Sequence, residues 1–219
     1  MFNKIINLSI YLLRYFSIIN SKYKVSNQIN FGSTLSNNYF KKKLKKCYYY
    51  LEFGSGNSTI LANQLKKKFR SIESDKSFYR FMRSKKIKDI LYSDLGPTKY
   101  YSIPILPSFL LKSKIQKYAD QIKNFFLVFN KLPDLILIDG RFRVFVALKI
   151  INFCLTRKEL VNTTIIVDDF KFRKDYHVLK EILKVNLVGR LGVIKLNKKT
   201  NVKKKKLSKF MKTAILNYI

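Results

Sequence analysis

Acids are scarce in this chain of 219 residues: 13 Asp and Glu stand against 45 Lys and Arg, for a formal net charge of +32. Such a balance points to an anionic partner, either nucleic acid or an acidic membrane surface. Alanine is rarer still. Its four residues, beside 24 Ile, 17 Asn and a 36-to-9 excess of Lys over Arg, follow the codon bias of an AT-rich genome, so the charge is in part translated base composition. The only two cysteines, Cys47 and Cys154, lie far apart and match no metal-ligand or CxxC spacing, which excludes a disulfide framework or zinc site and fits a reducing cytoplasm. His177 is the only histidine and lies in a helical pattern, where a packing role is the simpler reading. A long apolar run is also missing. Lys4, Asn7, Arg14 and Asn20 interrupt the first twenty residues, and no small-residue cleavage site follows, so neither a spanning helix nor a signal peptide fits. Ile6, Ile10, Tyr11 and Leu13 instead form an amphipathic pattern that would pack on its own domain or, alternatively, make peripheral membrane contact.

What the chain does have is core-forming residues. With 18 Phe, 14 Tyr and abundant Ile it is no disordered polycation, and its length suits one well-buried domain. From Tyr48 onward, short β-type runs alternate with helical ones, the pattern of an α/β fold on a parallel sheet. Strands are expected at 48–53, 70–73, 89–92, 135–139 and 164–167, with a terminal pair at 187–190 and 192–196. Helices are expected at 57–68, 76–85, 108–130, 142–155 and 172–184. The stretch 95–107 holds three of the four prolines and reads as an ordered loop, a lid or substrate wall. Three segments follow: an N-terminal helical segment (1–47), the α/β domain (48–196), and a basic, solvated C-terminal tail (197–219).

The chemistry concentrates in LEFGSGNST, from Leu51 to Thr59, which leaves a strand and opens a helix. Gly54 and Gly56 allow a tight turn and close ligand approach, and the helix N-terminus presents free N–H groups. Glu73 ends the next strand at the roughly 20-residue spacing of a ribose-binding acid. Glu52 decides between ligands. An acid two residues before the first glycine is ill placed for a pyrophosphate but suits a ligand carrying an ammonium and a sulfonium.

In these residues the chain resembles the class I S-adenosylmethionine-dependent methyltransferases, whose first motif here reads Glu52-Phe53-Gly54-Ser55-Gly56-Asn57-Ser58, with Ser58 in place of a third glycine. The resemblance spans Tyr48 to Leu196 and looks like a little-characterised bacterial branch. It implies a Rossmann-like three-layer sandwich with a mostly parallel seven-stranded sheet and an antiparallel terminal strand. It also implies S-adenosyl-L-methionine as cofactor, held by Glu52, Gly54, Ser55, Gly56, Ser58, Thr59, Glu73, Ser74 and Asp94, with Glu73 on the ribose and Asp94 near the adenine. By the same resemblance Asp139, in DLILIDGRFR, is expected beside the methyl-transfer site.

Methyl transfer is an in-line displacement that mainly needs alignment and shielding from water; where the acceptor is protonated, Asp139, Asp169 and His177 are the candidate bases, with packing the simpler role for the histidine. Arg141 and Arg143 are expected to hold an anionic group of a small-molecule or glycan acceptor. Asp139 with Asp168 and Asp169 resembles the magnesium acids of catechol-type O-methyltransferases, but Asp169 stands where those commonly have Asn and Phe142 where they have Lys, so no metal is assigned. The alternatives are an RNA methyltransferase, suggested by KKKLKKCYYY, a nicotinamide-dependent oxidoreductase on the same fold, and a non-enzymatic membrane-surface protein.

Overall fold

The computed structural model describes residues 23–98, 102–157 and 161–215. The amphipathic pattern of the first twenty residues lies outside them. Helix α1 (Thr34–Lys46) turns the lysine-rich run into an amphipathic element, burying Phe40 and Leu44 and capped by Ser33. There follow β1 (Tyr49–Phe53), α2 (Asn57–Gln64), β2 (Lys68–Glu73), α3 (Lys76–Ser84), β3 (Ile90–Tyr92), α4 (Lys112–Ala119), α5 (Gln121–Phe129) and β4 (Leu135–Ile138). The chain ends with α6 (Arg143–Leu155), β5 (Asn162–Val167), α7 (Val178–Ile182), β6 (Asn186–Val188), β7 (Leu191–Asn197) and α8 (Lys204–Ala214).

The seven strands form one sheet in the order β3-β2-β1-β4-β5-β7-β6. β1 to β5 pair in parallel, and β7 inserts antiparallel between β5 and β6. This is a Rossmann-like three-layer α/β sandwich. Strand alternation sends Leu51, Phe53, Ile136 and Ile138 into a core shared with α4, α5, α6 and α8, and sends Tyr50, Leu135 and Leu137 into one shared with α1, α2 and α3.

Three elements depart from expectation. The helix expected over 108–130 is a 3-10 turn (Ser108–Leu110) and two helices parted at Asp120, whose carboxylate is held by Lys123 and Lys149 at 3.2 and 2.8 Å. The helix expected over 57–68 stops at Gln64, because Lys66 turns left-handed (φ 52°) and Lys68 already pairs with Tyr48. The helix expected over 172–184 begins late: Asp169, also left-handed (φ 59°), takes the amides of Phe172 and Arg173 on its carbonyl, and a 3-10 turn (Lys174–His177) precedes α7. In the basic tail, Lys203 to Lys206 are exposed as expected, yet they lead into α8, which packs Leu207 and Ala214 on the domain.

Candidate functional site

Parallel pairing brings the C-terminal ends of β1 to β5 to one edge, and the ladder runs a residue beyond the strands. Asp139 N donates to Phe53 O at 2.9 Å, Asp168 N to Ile138 O at 3.1 Å and Ser93 N to Glu73 O at 2.8 Å. The acids predicted at successive strand ends therefore stand along one edge of the sheet.

The glycine turn sits at its centre. Gly54 has φ +93°, and a Cβ there would meet Gly140 N at 2.8 Å, so this glycine lets the loops after β1 and β4 touch. Gly56 differs. It is extended (φ 176°) with no atom within 4 Å of a built Cβ, so the fold itself sets no steric demand for glycine there and the space above it is open.

Glu52 is fully buried beneath this turn and not aimed into the open space. Tyr50 and Ser58 hydroxyls donate to its Oε2 at 2.6 and 2.7 Å, and the Thr59 hydroxyl donates to Oε1. Burial pushes its carboxyl up, and the hydroxyls pull the other way. Ser58 and Thr59, grouped with the cofactor residues from the sequence, thus face Glu52 and fix the first turn of α2. Ser55 Oγ lies 2.7 Å from Ser71 Oγ, tying the turn to β2.

Glu73 does face the turn. Its Oε2 accepts from Ser55 N at 3.1 Å, and its Oε1 from Ser74 N and Asp75 N at 2.6 and 2.7 Å. Burial raises the carboxyl to about 7 although those three amides favour the charged form. Asp94 lies on the same edge but points to α4, where it accepts from Lys114 Nζ and, at 2.7 Å, from Gly96 N. Partial burial opposes its charge, and Lys114 with the Gly96 amide outweighs it, so Asp94 stays below the usual carboxylate range.

Beyond β4 and β5 the acids meet arginines. Arg143 is not free to hold a substrate anion: its Nη2 pairs with Asp139 at 2.9 Å, its Nη1 with Asp169 at 3.2 Å, and it donates to the carbonyls of Asp139, Gly140 and Asp168. Arg190 grips Asp168 with two bonds of 2.7 and 2.6 Å. Asp169 shares both guanidinium groups, its contact to Arg190 being 3.7 Å, which leaves Asp139 the better placed of the two predicted bases. Enclosure and the Asp168 and Asp169 carboxylates push Asp139 up despite Arg143. Two guanidinium groups already pair with the three carboxylates of this cluster, so it does not fit a resident divalent cation. Arg141 is half-buried beside Arg143, and burial together with that neighbouring charge lowers its affinity for a proton.

Sequence reasoning missed Arg190 and Tyr118. The scarcity of arginine that singled out Arg141 and Arg143 applies equally to Arg190. Tyr118 is fully buried against Gly140. No sequence signal separates it from other core aromatics. His177 bonds the Phe170 carbonyl at 3.1 Å and lies against its ring, a packing role. A cavity of about 440 Å³ opens behind Arg143, walled by Val144, Tyr176, Val178 and Phe210.

No protein-family model matches this chain, and no curated protein does. Among solved structures it is similar to a methyltransferase-like protein from Silicibacter pomeroyi, with 24% identity over 84% of this chain and 95% of that one and a TM-score of 0.63. The likeness establishes a shared fold. Among the described residues, no helix is long and apolar enough to cross a membrane.

Proposed function

We propose that this chain is an S-adenosylmethionine-dependent methyltransferase acting on a small-molecule or glycan acceptor. One observation carries the reading: the open space above Gly56 lies beside a turn whose Ser55 amide is held by Glu73, at the end of the adjacent strand. A dinucleotide fits this turn poorly. Gly54 N, Ser55 N and Gly56 N already donate to Ile72 O, Glu73 and Thr59 Oγ1, and Glu52 lies beneath with no cationic partner among the described residues, so a pyrophosphate would find few donors and an adverse charge. A sulfonium or ammonium group suits the same surroundings.

In this reading Gly54, Ser55 and Gly56 cradle the donor, Glu73 and Ser74 meet its ribose, and Asp94 borders the adenine. When bound, the donor supplies an electrophilic methyl group. Asp139, raised in pKa and closest to the turn, takes the acceptor proton where there is one. The cavity behind Arg143 is of small-molecule size. The tyrosine run speaks against an RNA platform: Tyr50 is fully buried, Tyr49 half-buried, and Tyr48 alone is exposed.

Isothermal titration of the full chain with S-adenosylmethionine and, separately, NAD tests this. Binding of the methyl donor with about a tenfold loss in Glu73→Gln is expected; binding of NAD instead of the donor would overturn it.

A further inference from the structure

Four large apolar side chains stand in solvent on two loops at the C-terminal edge of the sheet. Leu106, Phe109 and Leu110, between β3 and α4, are 38%, 60% and 61% exposed, and Phe172, after β5, is 70% exposed. One exposed leucine is ordinary, whereas three such side chains on the loop after β3 and a fourth on the loop after β5, along the same edge of the sheet, mark an interaction surface.

Both loops are anchored to the site. The first closes over Gly96 through Leu111 and Leu106, and its Ser102 hydroxyl comes within 3.4 Å of Glu73 Oε1. The second hangs from the acid cluster, with Phe172 N donating to Asp169 O at 3.1 Å. These apolar tips therefore flank the strand-end acids from both sides.

Their surroundings are cationic. Between Asp94 and Asp120 the chain has no acid, and its described lysines there are Lys112, Lys114 and Lys117. Phe172 lies between Lys171 and Arg173, with the Lys171 ammonium 6.0 Å from its ring centre. Lys114 holds Asp94, and the exposed Asp175 is the nearest acid following Phe172. Apolar tips interspersed with lysines match the bilayer interface, where leucine and phenylalanine enter the acyl boundary and lysines meet anionic headgroups. RNA is the weaker match, because base stacking needs planar groups and two of the four tips are leucines.

We propose that this rim docks the protein on an anionic membrane surface through Leu106, Phe109, Leu110 and Phe172, so that an amphiphilic, membrane-resident acceptor enters from the lipid side. The choice of acceptor rests on the methyltransferase reading; the docking does not.

The test is co-sedimentation of the full chain with phosphatidylcholine–phosphatidylserine vesicles, phosphatidylcholine vesicles and poly(U), for the wild type and for Phe109→Ser/Leu110→Ser/Phe172→Ser. The expected result is binding to the anionic vesicles alone, reduced about tenfold or more in the triple variant, with melting temperature and donor affinity unchanged. Vesicle binding that the triple variant retains, binding to poly(U) in place of vesicles, or loss in Ile10→Asp but not in the triple variant would each overturn the proposal. Vesicle binding without any donor binding would leave docking intact and refute the methyltransferase reading instead.

Discussion

Replacing Gly54 and Gly56 in turn separates a glycine the fold needs from one a ligand would need. At Gly54 an alanine Cβ would lie 2.8 Å from Gly140 N and 2.9 Å from Asp139 C and Gly140 Cα, all backbone atoms, at a residue with φ +93°. Left-handed strain costs about 1–2 kcal/mol, and overpacking against backbone adds about 1–3 kcal/mol. A loss of roughly 3 kcal/mol should lower Tm by about 6–12 °C in a domain of this size. Gly56→Ala should behave differently, since its φ of 176° suits any residue and no atom lies within 4 Å of the new methyl. Its Tm should hold or rise, because the unfolded chain loses freedom equivalent to about 0.4–1 kcal/mol. The methyl would occupy space assigned to the donor, so affinity for S-adenosylmethionine should fall about tenfold. Calorimetric melting and titration of both variants check this. A Gly54→Ala protein melting with the wild type refutes the close approach of the two loops. A Gly56→Ala protein binding the donor normally refutes the placement of ligand over the turn.

Three further outcomes are expected. Burial raises Glu73 from 4.5 to about 7, so the folded state holds that proton more tightly and stability, highest below about 4.5, should decline by roughly 3 kcal/mol as pH rises through about 7; urea titrations should show a shallower decline in Glu73→Gln. Arg190→Ala strips the bidentate partner from Asp168, which is 1% exposed, and should cost about 3–5 kcal/mol by thermal unfolding, part of it recovered by adding Asp168→Asn. Magnesium should leave Tm unmoved, since Arg143 and Arg190 already occupy the carboxylates of the cluster, and a clear rise would show that the acids take the ion.

The sheet was legible because parallel strands buried on both faces read as apolar runs such as LILI, from Leu135 to Ile138, and because the helices between them carry their own period. The breaks were not. Asp120 looks like one more polar position within a helical pattern until Lys149, distant in sequence, arrives to hold it. Acids at strand ends were equally visible, since each follows an apolar run, yet the direction of each side chain was not. Glu52 turns under the helix and Glu73 toward the turn because alternation and the hydroxyls of Tyr50, Ser58 and Thr59 decide it, and those groups converge only once β1 and α2 are packed. Arg143 shows the same limit: beside an acid in sequence it reads as a substrate clamp, while in the fold β5 brings Asp168 and Asp169 into its reach.

The distribution of neutralising charge along the strand-end edge gives its two halves different roles. On the β1–β2 side, Glu52 is held by hydroxyls and Glu73 chiefly by amides, and the ion pairs found among the described residues include neither. Dipoles stabilise those carboxylates without cancelling their charge, which is why burial still raises both. On the β4–β5 side, Asp139, Asp168 and Asp169 meet Arg143 and Arg190, and the cluster is nearly balanced. A cationic group arriving at this edge is therefore drawn to the glycine turn, where it favours the ionised form of Glu73, and finds little attraction beyond β4. The arginine-paired acids make a nearly neutral wall there, which on the proposed methyltransferase reading suits an uncharged nucleophile. In a chain carrying +32, that contrast comes from where a few arginines are placed and not from the lysine excess.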